Sequence, residues 1–154
     1  MTSFVLSTVD SVGRSLAASE IGIITTTGGM LDATLNMGIS SRFLNWGVMN
    51  TGGIAVQVQA YGSYIENFGS IVGGGTLGVI DNYNLVSDGG RMEIVNHGYI
   101  GTMGNGDAAA ILSASGGNRI TNLGTITAAH DAVIELYDEL ASFTGAANYI
   151  LNSG

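Results

Sequence analysis

The chain has no cysteine, no proline and no lysine in 154 residues. Without cysteine there is no disulfide, no thiolate metal site and no redox pair, so zinc-ribbon and thioredoxin-like readings are excluded. The lack of lysine leaves only Arg14, Arg42, Arg91 and Arg119 against twelve acidic residues, for a net charge of −8. Phosphate binding needs clustered basic side chains, and four dispersed arginines argue against nucleic acid and against an anionic membrane surface. Long apolar runs are missing too. Gly, Ser, Thr or Asn interrupts each one well short of the roughly 20 residues that span a bilayer, so no membrane insertion is expected. No basic segment precedes Phe4-Val5-Leu6, which is itself too short for the hydrophobic region of a secretory signal. The absence of proline is informative in another way. Strands paired on both sides cannot lose an N–H donor, so proline is kept out of them, while the 25 glycines supply the corners such strands need.

What is present is a repeat. An apolar-x-Asn-x-Gly phrase recurs as Leu44-Asn45-Trp46-Gly47-Val48, Glu66-Asn67-Phe68-Gly69-Ser70-Ile71, Val95-Asn96-His97-Gly98-Tyr99-Ile100 and Thr121-Asn122-Leu123-Gly124-Thr125-Ile126. Asn152 begins a further copy, and the asparagines are spaced 22, 29, 26 and 30 residues apart. A compressed variant, Leu35-Asn36-Met37-Gly38-Ile39, precedes them. Between copies lies a second phrase, in which Asp107-Ala108-Ala109-Ala110-Ile111-Leu112 aligns with Asp131-Ala132-Val133-Ile134-Glu135-Leu136, and Gly53–Val58 and Thr76–Ile80 hold similar places. Ile54, Val56 and Val58 alternate with Ala55 and Gln57, the period of a strand. The helical competitor is 131–142, where Val133, Leu136, Tyr137 and Leu140 share one helical face. Alignment with 108–112 favours a strand over 132–136 and a loop or short helical insertion after it.

A repeat of roughly 25 residues cannot bury its own apolar face, but stacked repeats share one core. The expected fold is all-β, a parallel β-solenoid of about four to five coils. Residues 1–34 are expected to form an N-terminal cap or irregular strands, and 35–154 the solenoid repeats. Asn45, Asn67, Asn96, Asn122 and Asn152 would form a ladder of amides bonded from coil to coil, at corners where Asn tolerates the left-handed conformation.

With these residues in view, Asn-x-Gly-x-Ile and the phrase Asn105-Gly106-Asp107-Ala108-Ala109-Ala110-Ile111 resemble the degenerate repeats of bacterial secreted β-helical proteins. Autotransporter passenger domains, large repetitive adhesins and proteins exported by type I secretion belong to that group. The resemblance covers residues 35–154 and implies a structural or adhesive module, secreted or on the bacterial cell surface, with a surface glycan or a host protein as partner.

Sites for chemistry are sparse. Asp107 and Asp131 are the calcium candidates, since they lie near turns and calcium takes oxygen ligands; Gly104-Asn105-Gly106-Asp107 is also an ordinary turn sequence, and no other cofactor is indicated. Trp46, Phe68 and His97 share the variable slot of the phrase, where they would form a stripe able to stack on sugars or seat a partner, or else pack inward. The acidic pairs Asp131/Glu135 and Asp138-Glu139 are the densest carboxylates available for glycosidic chemistry; a solvated loop is the simpler reading. The expectation is therefore a non-enzymatic module, with a polysaccharide-binding or polysaccharide-processing β-helix as the alternative. Because the last copy of the phrase is incomplete, the chain is expected either to be an excised fragment or to pair end to end with further copies of itself.

Overall fold

The computed structural model describes residues 1–59, 61–82, 91–103, 107–130, 132–136 and 147–154. Among them the chain forms β-strands and no helix, and every third strand returns to the same face. The first sheet stacks β1 (Thr2–Leu6), β4 (Ile21–Ile24), β7 (Arg42–Asn45), β10 (Ser63–Asn67), β13 (Met92–Asn96), β16 (Arg119–Asn122) and β19 (Tyr149–Asn152). The second stacks β2 (Val9–Asp10), β5 (Gly29–Leu31), β8 (Val48–Asn50), β11 (Ser70–Gly73), β14 (Tyr99–Thr102) and β17 (Thr125–Thr127). The third stacks β3 (Arg14–Leu16), β6 (Leu35–Met37), β9 (Val56–Val58), β12 (Ile80–Asn82), β15 (Ile111–Ser113) and β18 (Ile134–Leu136). All neighbours are parallel and one turn apart, as in β10 on β7 and β13 on β10. The fold is a three-sided parallel β-solenoid.

One 7-stranded and two 6-stranded sheets make six turns and open a seventh, a rod of about 30 Å at the spacing of paired strands. That exceeds the expected four to five coils, and the difference lies at the N-terminal end. Residues 1–34, expected as an N-terminal cap or irregular strands, supply β1 to β5, which pair in the same three sheets as the rest. Their membership was hidden because the positions stacked under Asn45 are Ile24 and, below it, Leu6, so neither early turn carries the phrase.

Three columns of inward side chains fill the core. Phe43, Ile65, Ile94 and Ile120 stack from the first sheet, Met30, Met49, Ile71 and Ile100 from the second, and Leu35, Val56, Ile80 and Ile111 from the third. All twelve are fully buried, and each such burial contributes about 1.5–3 kcal/mol. The second sequence phrase builds the third column, but one residue out of the expected alignment: Ile134 stacks on Ile111 and Leu136 on Ser113, because the side chain that reaches the core, rather than the preceding Asp, sets the register. The segment 137–147 expected to follow as loop or insertion lies mostly outside the described residues.

The first turn departs from this pattern. Its inward positions hold Phe4 under Gly22, Asp10 under Met30 and Arg14 under Leu35. The guanidinium of Arg14 hydrogen-bonds and ion-pairs with Asp10 and lies 5.9 Å from the centroid of the Phe4 ring. Gly22 leaves room for that ring, since a Cβ there would come within 2.5 Å of its tip. An ion pair and an aromatic ring thus occupy the inward positions that hold apolar side chains in the later turns.

The Arg14 hydrogen bond, followed by the bond from Val12 N–H, holds the Asp10 carboxyl below its ordinary value of 3.8. A carboxyl depressed in the folded state contributes stability above its unfolded value and loses it as pH falls through the folded one. Melting temperature measured against pH should therefore show an acid-limb decline that begins near pH 3.8 and is smaller in Asp10→Asn; identical acid limbs would contradict the pairing.

Candidate functional site

Each ladder asparagine is the last residue of a first-sheet strand, and its parity points it inward at the corner leading to the second sheet. Asn45, Asn67 and Asn96 are fully buried, and Asn122 is nearly so. A buried amide without partners is costly, and here every turn provides them. The Nδ2 of Asn45 donates to Oδ1 of Asn67 at 2.8 Å, Asn67 to Asn96 at 2.8 Å, Asn96 to Asn122 at 2.7 Å and Asn122 to Asn152 at 2.7 Å. The other Nδ2 hydrogen reaches a carbonyl beyond the corner in the next turn: Ser70 from Asn45, Tyr99 from Asn67 and Thr125 from Asn96. Each side chain therefore ties two strands of the following turn, and all the amides point the same way along the axis.

The glycine of the phrase has a different purpose from the one its sequence suggests. Among the described residues the positive-φ positions are Ser19, Asp32, Ser40, Gly62, Gly75 and Gly117, so neither the asparagines nor the glycines of the phrase use the left-handed conformation expected of them. Clearance is what requires glycine. A Cβ on Gly47 would lie 2.1 Å from the carbonyl oxygen of Gly28, one on Gly69 2.0 Å from that of Gly47, and one on Gly98 2.1 Å from that of Gly69. The corners stack so closely that only hydrogen fits between them.

The slot between Asn and Gly forms the third part of the site. Trp46, Phe68 and His97 lie one above another, with ring centroids 5.4 Å apart from Trp46 to Phe68 and 4.6 Å from Phe68 to His97, at interplanar angles of 3° and 2°. Nε2 of His97 stands 3.8 Å from Oε1 of Glu66. The stripe is half-exposed, yet both faces of Phe68 are covered by its neighbours. Stacking on a sugar needs a free ring face, and Phe68 offers none. Tyr83, a further aromatic between the second and third copies of the phrase, lies outside the described residues. Phe68→Ala removes two stacked contacts and is expected to cost about 1–2 kcal/mol. As Trp46 is the single tryptophan, the same variant should red-shift its fluorescence; an unchanged emission maximum would show that the rings are not stacked in solution.

Beside these, a second polar column was missed. At the corner from the third sheet to the first, Ser41 and Ser63 are buried and donate to the Gly38 carbonyl. Higher in the same column Asn118 accepts from the Met92 N–H at 3.1 Å and donates to Oδ1 of Asn148 at 3.0 Å. The signal was legible as Asn-x-Ile-x-Asn, since Asn118 and Asn148 stand four residues before Asn122 and Asn152. Asn36 belongs to neither column; it is in β6, where its Oδ1 accepts from Gln59.

Of the two calcium candidates only Asp107 falls among the described residues. Asp107 is exposed, and Asp131 lies outside the described residues, as do Asp138 and Glu139. Among the described residues no three His, Asp or Glu gather closely enough to hold a metal ion, and no helix is long and apolar enough to cross a membrane. The chain matches no protein-family model, no curated protein and no solved structure.

Proposed function

We propose that the chain is a non-enzymatic structural module, a stiff solenoid segment of a bacterial secreted or cell-surface protein that holds other parts of that protein apart or presents them for adhesion. One observation carries this reading: the repeated residues are engaged with one another. The asparagine amides bond to the next asparagine, the glycines make room for the turn above, and the aromatic rings cover each other's faces. What the repeat yields outward is a fixed length and a fixed spacing, the properties of a scaffold. The bacterial surface setting rests on the resemblance of the phrases to secreted β-helical repeats.

The test is a glycan-array and polysaccharide-cleavage screen run on the intact chain. The structural reading expects neither saturable binding nor product. Glycan binding lost in Trp46→Ala, or cleavage lost in Asp107→Asn, would overturn it in favour of a polysaccharide-active β-helix.

A further inference from the structure

We draw no further inference here: the strongest candidate, the exposed apolar ridge of Trp46, Val48, Phe68, Tyr99 and Leu123 along the corner between the first and second sheets, is a surface patch for which nothing in the structure shows what covers it.

Discussion

Gly69→Ala should lower stability by about 3 kcal/mol or more, as measured by urea denaturation. Ordinarily, replacing glycine by alanine at a compatible backbone position stabilises a protein by about 0.4–1 kcal/mol, because the unfolded chain loses freedom. Here the sign reverses for a steric reason. The new Cβ would stand 2.0 Å from the Gly47 carbonyl oxygen and 2.8 Å from the carbonyl carbon of Trp46. Both are backbone atoms, and the same Gly47 oxygen accepts the Ser70 N–H at 2.9 Å. Relief therefore requires two turns to part at a point where they are hydrogen-bonded, and the displacement passes to the Asn45–Asn67 amide pair beside it. Gly52→Ala is the matched control: its Cβ meets nothing within 4 Å, and its effect should stay within about 0.5 kcal/mol. If Gly69→Ala proves as stable as the unsubstituted chain, the close stacking of corners is wrong.

The second large effect is expected at the middle of the amide ladder. Asn96→Leu is nearly isosteric, yet it deprives the amide of Asn67 of its acceptor, Oδ1 of Asn122 of its donor at 2.7 Å and the Thr125 carbonyl of its partner at 3.1 Å. Polar groups left unmet in a buried site cost about 1–3 kcal/mol each when fully orphaned. Asn67 retains two carbonyl acceptors and Asn122 keeps the Gly124 N–H, so a total of about 2–4 kcal/mol is expected. Asn152→Leu, at an exposed position with one ladder partner, should cost about 1 kcal/mol or less. In the double variant Asn67→Leu/Asn96→Leu the loss should fall short of the sum of the single losses, because the second substitution removes a group that the first has already orphaned. Strict additivity, or an Asn152→Leu loss as large as that of Asn96→Leu, would argue against a continuous ladder.

Much of this was legible in the sequence, and the physical reason is that stacking repeats chemistry as well as geometry. Buried amides are affordable only in company, so Asn45, Asn67, Asn96, Asn122 and Asn152 had to recur together, and the clearance at each corner made glycine recur two residues later. Turns one and two were not legible because a column that starts with Leu6 and Ile24 needs no partner; apolar residues stack without leaving a motif. Asn36 shows the opposite case, a copy of the phrase that does not join the ladder. Its local phrase is right, but it sits on the third sheet, where it bonds to Gln59 instead of a ladder neighbour. The closure by Asp10, Arg14 and Phe4 was invisible because nothing repeats it, and recognising it requires knowing which three residues face inward in the same turn. The aromatic slot was legible in membership but not in orientation: sequence spacing brought Trp46, Phe68 and His97 together, and only the ring angles show that their faces are turned toward one another.

The direction of the bonds between turns has a mechanical consequence. They run along the rod, as the registers of β10, β13 and β16 require. Pressed or bent, such a stack is stiff, since each turn rests on the next. Pulled by its termini, the same stack is loaded bond by bond from an end and peels, releasing 22, 29, 26 or 30 residues between successive ladder asparagines. At about 3.3–3.6 Å per extended residue, each step pays out about 70–110 Å of slack. The same bonds that stiffen the stack under compression would thus give way one turn at a time under tension.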